Sequence, residues 1–188
     1  MPNHDAYVLR ENTGTTGIMQ TAQAAARVLA DYDTPHLIVG GLAVQEHGYP
    51  RVTIDVDIVV PDVLEALEVI TARLDGPFAR LGGLQDRVVD RRNDVKVKLL
   101  PGGRVLRAGC KVPFPLPTRT TKQLQIVSLE DLISLKLDSW ASSPLHRLKD
   151  KADVVELINR RSLPRDFKVV PAVAKLYLEL WDGLKAER

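Results

Sequence analysis

The chain has 188 residues, 45% hydrophobic and 27% charged, with a formal net charge of +2. That is the profile of one ordinary globular domain, or one domain with a helical appendage. The charge is too small to mark a nucleic-acid binder, no apolar run reaches membrane-span length, and the lone Cys110 has no internal disulfide partner. The opening residues, MPNHDAYVLRENTG, lack the apolar core of a signal peptide, so the expectation is a cytoplasmic protein.

Residues 1–13 are polar and read as a loose arm. Thr15 or Thr16 caps a predicted helix that runs to about Tyr32, with Ile18, Ala22, Ala25, Val28 and Leu29 on one side. Asp33-Thr34-Pro35 ends it. A short apolar strand, Leu37-Ile38-Val39, meets the diglycine Gly40-Gly41, and a helix follows over 42–47. Bare backbone N–H groups at such a junction favour a phosphate, and glycine lets it come close. Gly48-Tyr49-Pro50 is a turn, and 51–60 is predicted as a strand carrying Asp55-Val56-Asp57. Side chains on a strand alternate, so the two carboxylates share one face, their Cα atoms about 7 Å apart. Such a pair can converge on Mg²⁺ or Mn²⁺, and magnesium sites commonly combine one or two protein carboxylates with substrate phosphates.

Pro61-Asp62 starts a packing helix over 63–74. Residues 86–91 and 94–100 read as a strand pair around Arg92-Asn93, the second with clear alternation. A further strand is expected over 105–112. Residues 113–121, PFPLPTRTT, hold three prolines and form an extended connector, with Arg119 and Lys122 available to a ligand. A short strand over 124–127 precedes Ser128, which with Asp131 signals a helix start. That helix runs over 129–142 and carries Lys136. A second, after Ser143-Pro144, carries Arg147, Lys149, Asp150 and Asp153; Asp150 and Asp153 share a face, and Lys149 is spaced to pair with Asp153. Arg160-Arg161 opens a basic turn, and a last amphipathic helix follows from Val173. The four histidines have no zinc spacing, and His47 reads as a satisfied surface residue.

Val39-Gly40-Gly41, thirteen residues, then Asp55-Val56-Asp57-Ile58 resembles the signature of the DNA polymerase β-like nucleotidyltransferase superfamily. Gly-Gly-x-Ala with Arg51, Thr53, Asp55 and Asp57 is similar to the small bacterial AbiEii-type toxins of that superfamily. Leu135-Lys136, Arg147 and Lys149-Asp150-x-x-Asp153-Val154 resemble the second block of the same group. The resemblance is carried by motifs over roughly residues 20–160.

The resemblance implies an α/β (α+β) fold, a small mixed sheet flanked by helices. The core would span 1–127 and a C-terminal helical part 128–188, together one continuous domain. It implies transfer of a nucleoside monophosphate from an NTP to RNA, such as a tRNA end, or to a small hydroxylated molecule. A toxin role with a cognate antitoxin comes with it. Asp55 and Asp57 would hold the metal, and Gly40, Gly41, Arg51, Thr53 and Lys98 the nucleotide. Lys136, Asp150 and Asp153 would act in the site, either acid as base or as anchor for the lysine. The chain departs from the superfamily at one slot, where a neighbouring strand often carries a third metal-binding acid and Lys98 stands here. Asp90 or Asp94 serves instead, or two carboxylates suffice, or the site is degenerate and the chain is a nucleotide-binding or interaction module. Lys98 itself would hold a triphosphate, take a metal's place with its ammonium, or face solvent.

Overall fold

The computed structural model describes residues 16–186. Thr16 caps α1 (Gly17–Asp31), its hydroxyl accepting from the N–H of Met19 at 3.3 Å. The alternative cap Thr15 and the polar arm lie outside the described residues.

Five strands form one mixed sheet in the order β1-β2-β5-β4-β3: β1 (Leu37–Val39), β2 (Asp55–Val60), β3 (Phe78–Arg80), β4 (Arg87–Asp90) and β5 (Lys96–Pro101). β2 lies antiparallel to β1 and parallel to β5; β5, β4 and β3 are antiparallel neighbours. The connection from β2 to β5 is long enough to return the chain in parallel because α3 (Val63–Ile70) and the β3–β4 hairpin lie within it.

The alternation of β2 sorts its side chains between two cores. Val56, Ile58 and Val60 pack with Ile18, Ala22 and Leu29 of α1 and with Leu67 and Ile70 of α3. Val59 faces the other way, into a core built from α2 (Gly40–Glu46), α4 (Leu129–Ser142), α5 (Leu148–Arg160) and α6 (Ala174–Ala186). Asp55 and Asp57 share the parity of Val59 and so lie on the side of the C-terminal helices. The result is the expected fold class, a mixed sheet flanked by helices, with the C-terminal helices forming one of its two covers.

Several expected boundaries move. Residues 51–54 are not strand: their backbone leaves the sheet, and Val52 and Ile54 are exposed. The helix of 63–74 stops at Ile70, and β3 is an additional strand. The strand expected at 105–112 is a loop. Its amides at Lys111 and Val112 bond the carboxylate of Asp138 at 2.9–3.1 Å rather than a neighbouring strand. Residues 124–127 add only a single parallel bridge, Ile38 to Ile126.

Candidate active site

β1 ends opposite Asp57, with Val39 and Asp57 as register partners. The next residue, Gly40, turns into α2 with φ +68°, a conformation that glycine adopts without cost. A side chain is also excluded by space. A Cβ on Gly40 would overlap the Asp57 carboxylate, and one on Gly41 would overlap the Thr53 hydroxyl. The diglycine is therefore where backbone approaches both an acid and a hydroxyl.

On the other flank of Asp57 stands Lys98, its register partner on β5, while Lys96 lies beside Asp55. The sheet order thus sets the row Val39–Asp57–Lys98 across three strands. Asp57 is pushed up from 3.8 to about 6, first by burial and then by repulsion from Asp55. Lys98, Lys136 and Arg107 pull it back in part.

The C-terminal helices bring the remaining charges together. Lys136 on α4 donates to Asp150 at 2.7 Å and reaches Asp153 at 2.8 Å. Arg51 grips Asp153 through two nitrogens, at 2.6 and 2.9 Å. Arg147 bonds Asp150 at 2.7 Å and Ser139 at 2.9 Å. Burial alone would raise the Asp150 carboxyl, but Lys136, Ser139 and Arg147 outweigh it and hold it below the usual range. Both acids are engaged by cations. The two oxygens of Asp153 take Arg51 and Lys136, not the Lys149 that helical spacing brings near. Burial, and then the Arg51 cation, hold the Lys149 pKa low.

A cleft of about 220 Å³ opens beside these groups, lined by Gly40, Asp57, Lys98, Lys136, Arg147 and Asp150 on its polar side. Leu106, Val112, Phe114 and Leu135 form an apolar wall. Asp90 and Asp94, the alternative third acids, do not line it. Asp90 is buried and accepts from Thr21 at 2.7 Å and from the Arg92 side chain at 2.6 and 2.9 Å. Asp94 sits in the turn before β5 with φ +60°. Lys122, expected to be free for a ligand, pairs with Asp31 at 2.6 Å. His47 bonds the carbonyl of Val127 at 2.7 Å, in keeping with a satisfied residue.

Three residues escaped the sequence reading. Ser139 links Arg107, Arg147 and Asp150. Arg107 faces the cleft from the loop that Asp138 pins. The only signal for Asp138 was an acid at a core-facing helical position, four residues from Ser134, which is itself buried.

Among the described residues no group of three or more His, Cys, Asp or Glu converges as a metal site. The residues nonetheless fit a magnesium ion bound together with a nucleotide. Two carboxylates repel each other on one strand face, and burial penalises the charge of one of them, conditions that a divalent cation relieves.

No protein-family model and no curated protein matches the chain. Solved structures share the fold at low sequence identity. The solution structure of the antibiotic-resistance factor ANT(2'')-Ia aligns at TM-score 0.51 and 13% identity, over 90% of this chain and 95% of that one. A crystal structure of ANT(2'')-Ia with adenylyl-2''-tobramycin aligns at TM-score 0.51 and 15% identity, over 92% and 99%. JHP933 from Helicobacter pylori aligns at TM-score 0.41 and 13% identity, over 91% of each chain. No helix among the described residues is long and apolar enough to cross a membrane.

Proposed function

We propose that the chain is a magnesium-dependent nucleotidyltransferase, moving a nucleoside monophosphate from an NTP to the hydroxyl of a small acceptor. The observation that carries this reading is Asp57. It is a charge-penalised carboxylate paired with Asp55, pressed against a glycine backbone on one side and facing a cleft on the other. Gly40, Gly41 and Thr53 receive the triphosphate, because they combine bare backbone with a hydroxyl beside the acids. Lys136, held by Asp150 and Asp153, neutralises charge that develops on the phosphates. Arg51 acts through Asp153, tying the segment before β2 to α5. A divalent ion held by Asp55 and Asp57 supplies charge neutralisation and an acidified acceptor oxygen. The acceptor oxygen bonds to the α-phosphorus as the bond to pyrophosphate breaks, and the acceptor's proton passes to solvent.

A small acceptor is supported by the modest cleft and by the adenylylated small molecule in the ANT(2'')-Ia complex. An RNA or tRNA end, with a toxin role and a cognate antitoxin, is the second reading. It is favoured by the spacing of Lys136, Arg147, Asp150 and Asp153, which resembles the AbiEii group. A catalytically silent module of the same fold is the rival from another class, favoured by Lys98 beside Asp57.

The test is incubation with Mg²⁺, each of four α-labelled NTPs and either total RNA or a pooled metabolite extract. Label in a small-molecule fraction, lost in Asp57→Ala and with chelator, supports the first reading. Label in RNA supports the second. Magnesium-dependent NTP binding with no transfer to either pool identifies the silent module.

A further inference from the structure

Four cations face the cleft, but they are not equivalent. Lys136 and Arg147 are held in ion pairs by Asp150 and Asp153, on the side where Lys136 serves the nucleotide. Among the described residues, Lys98 and Arg107 enter no such ion pair, and Arg107 donates only to the Ser139 hydroxyl at 2.8 Å. Two acids of the cleft bear on them: Asp57, to which both are electrostatically coupled and which the proposed magnesium takes up, and Asp138, which spends its carboxylate on the amides of Lys111 and Val112. The sheet order also separates two sides. The diglycine reaches Asp57 from β1, whereas Lys98 reaches it from β5, where Val112 and Phe114 form the apolar wall.

We infer that the β5 side of the cleft is an acceptor subsite for an anionic small molecule, with a phosphate or carboxylate held by Lys98 and Arg107 and an apolar body against Val112 and Phe114. This deepens the proposed transferase reading. It also sets the chain apart from an enzyme acting on polycationic sugars such as tobramycin, because once magnesium takes up Asp57 the charges of Lys98 and Arg107 are unmatched at the acceptor position and repel amines. Lys98 and Arg107 determine which acceptor binds, and the diglycine side determines the nucleotide.

The test is a ¹H–¹⁵N NMR titration of the full chain with phenyl phosphate, benzoate, benzyl alcohol and benzylamine. Each is run with and without Mg²⁺ and a non-hydrolysable NTP analogue. One or both anions are expected to bind about tenfold more tightly than benzyl alcohol, the difference a charge-assisted contact supplies. Shifts are expected at Lys98, Arg107, Val112 and Phe114. Lys98→Met and Arg107→Met should each remove most of the preference, and the stronger of the two anions identifies the head group. Benzylamine binding as tightly as the anions overturns the inference, and so does displacement of the anions by the NTP analogue, which would place them in the triphosphate site. Shifts at Gly40, Gly41 and Thr53 on adding the analogue report the transferase reading separately. Their absence alongside intact anion preference would sink that reading and leave an anion site.

Discussion

Asp57→Asn is expected to make the metal-free protein more stable while abolishing the proposed nucleotidyl transfer. The Asp57 carboxyl titrates at about 6 in the folded protein against 3.8 as its ordinary value. Between these pH values the folded state holds a proton that the unfolded chain has released, so stability falls as pH rises through that window. Above it the ionised carboxylate costs the fold about 3 kcal/mol, at 1.36 kcal/mol per pKa unit. Asparagine keeps the shape and removes the charge, so most of that cost is recovered near pH 7.5. A gain of about 2–3 kcal/mol corresponds to a rise in Tm of roughly 5–10 °C for a chain of this size. Near pH 4 the gain should shrink below about 1 kcal/mol, because the folded wild type is then already neutral at this position. The assay is urea denaturation of both proteins at the two pH values in chelator, repeated with Mg²⁺ and NTP. Ligand should stabilise the wild type and leave the variant unmoved. A variant no more stable than wild type at pH 7.5, or a gain undiminished at pH 4, would show that Asp57 carries no such charge penalty.

Gly40→Ala places a Cβ on the Asp57 carboxylate at a left-handed φ; a loss of about 1–3 kcal/mol by thermal denaturation is expected, with loss of Mg²⁺-dependent NTP binding by calorimetry. Lys136→Met leaves Asp150 and Asp153 with one cation each, Arg147 and Arg51; the destabilisation should fall at the low end for broken buried pairs, about 3 kcal/mol, and NTP affinity should drop in the same protein. Asp138→Ala frees the amides of Lys111 and Val112; limited proteolysis should then cut within 103–112, with stability lowered by about 1.5–3 kcal/mol in urea.

The diglycine and the acid pair were legible because both depend on local geometry. A glycine turn after a strand and a period-two acid pair mean the same thing wherever they occur, and β5 was legible from its alternation. The ion-pair cluster was only half legible. The helical spacing of Asp150 and Asp153 gave their shared face, but Arg51 lies 102 residues from Asp153, and nothing local couples them. The same distance explains the misread segments. Residues 51–54 carry the alternation of a strand, yet Arg51 is drawn to Asp153 and its carbonyl to Gln45, which pulls the backbone off the sheet. Residues 105–112 have strand composition, but Asp138 offers their amides a stronger acceptor than an edge carbonyl. β3 is three residues long and too short to carry a period.

The two-sided sorting of β2 bears on which genetic changes the chain tolerates. Asp55, Asp57 and Val59 look one way, and Val56, Ile58 and Val60 look the other. Inserting or deleting a single residue in this strand would exchange the two sets, driving two carboxylates into the core beneath α1 and turning three aliphatic side chains toward the cleft. Inserting two residues would restore the parity. Natural or laboratory variation in length here should therefore come in even steps, and the loop at 48–54, outside the ladder, is where odd ones can be absorbed.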